Sequence, residues 1–497
     1  MRVLFFLLLV SGLWLGCHAP SGTLRPVADA GDLRDGSASV HAGASAVAGE
    51  AACEADEDPL PPVPCTLPVA ARATKSAGAL LAGLLSRASE RNEAGQELRR
   101  STPVQLHMAG RGTAFLGPAP TSTMNSSQSM IADRAAERGD PALPFFREAL
   151  SCANTALRVQ PTSLPVLRQR AIAQRELGSP EEARDTLTRA LALVPDDPET
   201  LALAADLYIS HLSATREHSE IGLLYAEQGR KRLSPKATAT PGKTNSRRRR
   251  AAVASREPVL SDATRALLAR LWLLSGQALL DLGRASEALP ALDSSLRLAE
   301  LSEARYERAV ALFELVRLPE AEMAFSELLA KSPQPPNRQT AFVHYHLGLI
   351  FDQRGRTDDA ERELKAARDL LPEQFPEPLS VSMAEFQALV RTETDALTPE
   401  HAADLKRVRL EIADLPDPAD LTLETPPLSP TILGLFRGLP LGEEPSEPRS
   451  IVLYRKNLLR AVRSNAELVR EIRKTLLHEL GHLHGADEDD LREEGLE

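Results

Sequence analysis

The sequence predicts a mostly α protein, an α-solenoid of helix pairs followed by a small α/β domain, on three observations. Pro161 and Pro195 recur 34 positions apart, each where a second helix would close, and that period is the length of a helix–turn–helix repeat. Aromatic residues make up only 4% of the 497, whereas Leu, Ala, Arg and Glu abound, a mix that favours helices. Near the C-terminus, Val408–Ala413 and Ile451–Tyr454 are short apolar runs of strand type, and a helical stripe follows them. The length leaves room for several domains, and 43% hydrophobic residues suffice for ordinary cores. A formal net charge of −11 argues against general nucleic-acid binding.

The chain starts with a targeting segment, residues 1–17. Arg2 precedes an apolar run, Val3 to Val10, that continues through Leu13-Trp14-Leu15-Gly16 to Cys17. The run is short for a membrane span, which needs about 20 residues. It resembles a bacterial lipoprotein signal, in which cleavage before the cysteine leaves that residue N-terminal for lipid attachment; Trp14 and Leu15 depart from the usual box. Lipidation at Cys17 is the expected outcome, with an ordinary cleaved signal or a retained anchor as alternatives. The expected location is the bacterial cell envelope, lipid-anchored and facing the periplasm or the outside. Residues 18–75, rich in Ala, Pro, Gly, Ser and Asp without periodicity, read as a flexible tether. Cys53 and Cys65 lie in it and are available to pair in an oxidising compartment. Cys152 falls on a helical face without an evident partner and reads as a small core residue.

Residues 76–139 are poorly defined and partly helical: Ala77 to Arg99 is amphipathic, and Gly117 to Met130 is rich in Ser, Thr and Pro. Two blocks of tetratricopeptide-like repeats follow, 140–235 and 259–375. Leu164 to Asp197 carries Gly178, Ala183, Leu187, Ala190 and Pro195 in the expected places. A second repeat has Trp272, Gly276, Gly283, Ala288 and Leu292, and a third Ala321, Phe325 and Pro333. The last, with Leu347, Gly348, Gly355, Ala360, Leu364, Ala367 and Pro372, is close to the full pattern. Small residues let paired helices approach, large ones fill the groove, and proline ends the second helix. Stacked pairs of this kind present a concave surface for a protein or an extended peptide. Between the blocks, residues 236–258 contain Arg247-Arg248-Arg249-Arg250 and read as a basic, protease-sensitive linker; contact with anionic lipid is the less common use of such a run.

The strongest chemical signal is His478-Glu479-Leu480-Gly481-His482. Residues four apart lie about 40° from each other around a helix, so both imidazoles can face one ion. Neutral imidazole suits zinc, whose catalytic sites keep three protein ligands and an open fourth position. The adjoining carboxylate, Glu479, is then placed as general base for attack on a polarised carbonyl. Ile472 to Leu483 reads as a helix with Ile472, Leu476, Leu480 and Leu483 on one buried stripe, and Gly485 is placed to end it left-handed. Beyond that turn, Asp487-Glu488-Asp489-Asp490 supplies oxygen donors, one of which can return to the metal.

From 379 to 497 the chain resembles the minimal zincins, small bacterial proteins with a matrix-metalloprotease-like domain and the pattern H-E-x-x-H-x-x-G-x-x-D. Met383-Ala384-Glu385-Phe386 with Leu389-Val390 is similar to the family's opening helix. Leu433-Gly434-Leu435-Phe436-Arg437-Gly438-Leu439-Pro440-Leu441 is similar to its L-G-L-Y-x-G-x-P-L segment, and Ile451-Val452-Leu453-Tyr454-Arg455 to its I-x-L-Y-R strand. The resemblance implies a compact α/β zincin-like domain, a zinc cofactor and peptidase activity. It places the third ligand at Glu488, where the family has aspartate; Asp487 and Asp489 are the fallbacks. His484 points away from the site on helical spacing. Tyr454 is a conceivable oxyanion donor with no positional argument. The expectation is thus a membrane-tethered zinc-dependent metallopeptidase with Glu479 as catalytic base, His478, His482 and Glu488 as metal ligands, and repeats that bind protein. The alternative is a non-enzymatic repeat scaffold lipoprotein whose terminal domain is vestigial or structural.

Overall fold

The computed structural model describes residues 63–67, 77–101, 140–234, 260–333, 336–443 and 448–496. The expected signal, the anchor at Cys17, Cys53, most of the tether and the linker 236–258 lie outside the described residues.

Among the described residues, six helix pairs make up the solenoid. They are α1 (Ala77–Ser101) with α2 (Leu143–Val159), α3 (Leu164–Glu176) with α4 (Pro180–Leu193), and α5 (Pro198–Ser210) with α6 (Arg216–Leu233). Then follow α7 (Asp262–Asp281) with α8 (Ala285–Leu298), α9 (Ser302–Glu314) with α10 (Leu318–Ala330), and α11 (Arg338–Gln353) with α12 (Thr357–Leu370). Each helix packs on its sequence neighbour, and the stack is continuous from α6 to α7. There Ala202, Ala205, Ala226, Leu271 and Leu274 form one buried cluster, and the Arg230 guanidinium lies 3.7 Å from the Trp272 ring centroid. Residues 235–259 therefore interrupt the sequence while the hydrophobic surfaces on either side still stack. Small residues do what their spacing predicts: a Cβ at Gly276 would come within 2.5 Å of Leu292 Cγ.

Helix α1 extends the array by one pair, because Leu84 and Ala88 bury against Cys152, Ala153, Ala156 and Val166. Asn92 donates to the Gln169 carbonyl at 2.9 Å. Cys65 bonds Cys152, not Cys53, across 87 positions with Cα atoms 4.9 Å apart. Cys152 does sit in a core, but as half of a cross-link that ties the segment before α1 to α2.

The turn within a pair closes in the left-handed region at Gly178 (φ 75°), Gly283 (φ 71°) and Gly355 (φ 72°). The pair α9–α10 places Val316 there instead, at φ 58°. The hydrogen bonds are those of the glycine turns: Val316 N–H donates to Phe313 O and Arg317 N–H to Leu312 O, both at 2.9 Å.

After the solenoid come α13 (Met383–Asp395), α14 (Pro399–Leu405), β1 (Arg409–Ala413), α15 (Pro418–Leu421), β2 (Gly434–Arg437), β3 (Ser450–Tyr454), α16 (Arg455–Ala461), α17 (Asn465–Leu483) and α18 (Glu488–Glu493). The sheet order is β1-β3-β2, with β1 parallel and β2 antiparallel to β3. The central strand β3 is buried throughout, and α17 lies on the sheet. Its stripe Ile472, Leu476, Leu480 and Leu483 joins Phe386, Val390, Ile451 and Leu453 in one core. The solenoid docks on this domain through charge as well as surface. Asp352 of α11 is buried and accepts from Lys456 at 2.7 Å and from Arg460, both on α16. Glu314, the last residue of α9, has the Ser429 hydroxyl as partner.

Candidate metal centre

Helix α17 is longer than its apolar stripe predicts, since Ser464 accepts the Glu467 N–H at 3.2 Å and so starts the helix at Asn465. The face beside the stripe carries Glu471, Lys474, Thr475, His478, Glu479 and His482, and it lines a cleft of about 650 Å³. Strand β2 with Leu428–Leu433 forms one wall, and Gly485–Glu488 closes the end. Gly434 lets β2 come this close, because a Cβ there would meet Glu479 Oε1 and Thr475 Cγ2, each at 2.7 Å.

Gly485, at φ 87°, turns the chain back, and Ala486 N–H donates to Gly481 O at 3.1 Å. Asp487 then caps α18, accepting from the N–H groups of Asp489 and Asp490, each at 3.0 Å. Asp489 pairs with Arg492. Both fallback ligands are thus occupied locally, while Glu488 faces the histidines. Its carboxylate lies 3.4 Å from His482 Nε2 and 3.8 Å from His478 Nε2, and the two Nε2 atoms are 3.1 Å apart. One donor atom from each of the three lies within 4.8 Å of the others. His484, as its helical position predicts, turns away and pairs with Asp404 of α14 at 2.8 Å.

The donor set fits zinc. Ligands at about 2.05 Å in a tetrahedron have edges of ~3.3 Å, which the three separations bracket. His478 Nδ1 bonds the Leu496 carbonyl at 3.1 Å and His482 Nδ1 the Ala486 carbonyl at 3.0 Å. Carbonyls only accept, so these bonds assign the ring proton to Nδ1 and leave the Nε2 lone pairs directed at one another. Two lone pairs so close call for a cation between them. The bond between His482 and Glu488 pushes His482 up to about 9 and holds Glu488 below the usual carboxylate range. Burial pushes His478 down.

Glu479 is buried on the same face, and burial pushes its carboxyl up to about 7 while the Phe436 N–H of β2 bonds it. Tyr454 does not line the cleft. It is fully buried on β3 beside Arg437, and that placement away from the cleft removes it as an oxyanion donor. Sequence reasoning did not find the Phe436 N–H, the Ala486 and Leu496 carbonyls, or Leu491, which packs on Gly481. Backbone groups carry no side-chain signature, so only the length of the segment after Gly485 could have pointed to Ala486 and Leu496, and nothing local pointed to Phe436.

Residues 405–496 match the family model described as zincin-like metallopeptidase. Residues 164–207 and 250–336 match two tetratricopeptide repeat models. No curated protein matches the chain. Similar solved structures include YrrB, described as a TPR protein with an unusual peptide-binding site, at 17% identity over 45% of this chain and 94% of that one, TM-score 0.30. PilW, described as a widely conserved type IV pilus biogenesis factor, is 16% identical over 54% of this chain and all of its own, TM-score 0.33. Pseudomonas aeruginosa pilF is 15% identical over 53% and 96%, TM-score 0.33. Likenesses this slight carry no functional weight. The chain carries a C-terminal zincin-like metallopeptidase domain preceded by tetratricopeptide repeats.

Proposed function

We propose that this chain is a zinc-dependent peptidase of the bacterial cell envelope that hydrolyses peptide bonds in protein substrates held by its repeats. The observation that carries the reading is the convergence of His478 Nε2, His482 Nε2 and the Glu488 carboxylate beside a buried Glu479 at the wall of an open cleft. His478, His482 and Glu488 would hold the metal. When bound, zinc supplies a Lewis acid that acidifies water and polarises a carbonyl. Glu479, poised near neutrality, takes the proton of the attacking water and returns it to the departing amine. The Phe436 N–H keeps that carboxylate in place. Because β2 is an outer strand that lines the cleft, an extended peptide can add along it.

The Cys65–Cys152 disulfide supports an oxidising compartment, and the N-terminal segment supports lipid attachment at Cys17. Among the described residues no helix is long and apolar enough to cross a membrane. Glutamate in place of the family's aspartate motivates the scaffold alternative, but the reach of Glu488 to both imidazoles weighs against it. The test is Glu479→Gln in the full chain: hydrolysis of an unstructured protein substrate should fall by at least about 10²-fold with zinc content unchanged. Undiminished hydrolysis by that variant would overturn the reading.

A further inference from the structure

Beside the histidines, one buried side chain joins α18 to the turn of α17 that carries them. Leu491 of α18 is fully buried, and its side chain fills the space over Gly481, where any Cβ would collide with it. Gly481 sits between the two histidines, so this contact fixes α18 against the ligand-bearing turn of α17. Three further bonds hold the same segment: Ala486 N–H to Gly481 O, Leu496 N–H to Leu491 O at 2.9 Å, and Leu491 N–H to Asp487 O at 3.0 Å. The result places Glu488 opposite both Nε2 atoms, while the carbonyls of Ala486 and Leu496 orient the rings. Glu488 is the exposed member of the set and sits on α18, so its direction follows the docking of that helix.

We infer that Leu491, seated on Gly481, is the positioning residue for the third ligand, and that residues 486–496 act as one clamp on the metal site. This rests on the zinc reading above. Leu491→Ala keeps every donor atom, yet it frees α18 and with it Glu488. Outer contacts of this sort change metal affinity by about 10- to 100-fold. Gly481→Ala reaches the same end from the other side, by pushing Leu491 out.

The experiment measures zinc affinity of the full chain by chelator competition, with far-UV circular dichroism as the folding control. Leu491→Ala and Gly481→Ala should each bind zinc about 10- to 100-fold more weakly than the parent, and Leu491→Met should recover to within a few-fold. In a Glu488→Ala background, Leu491→Ala should weaken binding by clearly less than it does in the parent, because most of its effect passes through that carboxylate and only the ring-orienting carbonyls remain to be disturbed. A merely structural residue would add its full effect there. Should Leu491→Ala lose helix signal, Leu491→Val carries the test, with a few-fold loss expected. Folded Leu491→Ala and Gly481→Ala with parental affinity, or additive losses in the double variant, overturn the inference while leaving the zinc reading intact. A parent that binds no zinc overturns both.

Discussion

Replacing Glu314 by glutamine should stabilise the protein above neutrality and leave it nearly unchanged in mild acid. Glu314 ends α9 at the junction with the C-terminal domain and is buried; the Ser429 hydroxyl partners it, and Oε1 finds no partner among the described residues. Burial pushes its carboxyl from 4.5 up to about 7. An acid whose pKa rises on folding holds its proton more tightly in the native state. Stability is therefore complete below about pH 4.5, falls as the pH climbs to about 7, and is flat beyond. The rise from 4.5 to about 7 corresponds to ~3 kcal/mol at pH 8 and under about 1 kcal/mol at pH 5. Glutamine keeps the shape and an acceptor for Ser429, but its amide adds a donor that costs about 1 kcal/mol if unpaired. The expected gain of Glu314→Gln is thus ~2 kcal/mol greater at pH 8 than at pH 5. His346, which burial pushes down to about 4, works in the opposite direction by costing stability as the pH falls below about 6.5. It is common to both proteins and cancels in the difference. Urea unfolding at the two pH values measures the effect, and an equal ΔΔG at both would refute the reasoning.

Val316→Gly relieves a β-branched residue of its left-handed conformation and should raise stability by about 1 kcal/mol in the same assay; a loss would show that the Val316 side chain packs better than its backbone is strained. Cys152→Ser removes the cross-link to Cys65 and should cost about 2–4 kcal/mol of local stability. The readout is protease cleavage within Ala77–Ser101, expected to become faster in the variant and in the reduced parent; unchanged cleavage would mean that α1 is held by its packing alone.

What the sequence made legible is what local chemistry determines. The helix that carries His478 and His482 was readable because its apolar period and its two histidines share one 3.6-residue geometry. Glu488 was within reach because Gly485 announces a chain reversal. The helix pairs at 164–197 and 272–372 were readable from small residues at fixed spacing. Position-independent or distant features were not. Cys65 finds its partner 87 positions away, where no spacing rule operates. Helix α1 lacks the repeat signature, and its membership rests on Leu84 and Ala88 meeting α2. Val316 stands where the pattern calls for glycine, and only the backbone shows that the same turn is made. The stacking of α6 on α7 was obscured by the basic stretch between them, because a charged insertion in sequence does not separate apolar faces in space.

Zinc content of the purified full chain at neutral pH, measured beside His482→Ala, tests the central claim most directly. The account predicts about one zinc per chain in the parent and almost none in the variant. A folded parent with zinc far below one equivalent, or a variant that keeps the parental amount, would contradict it.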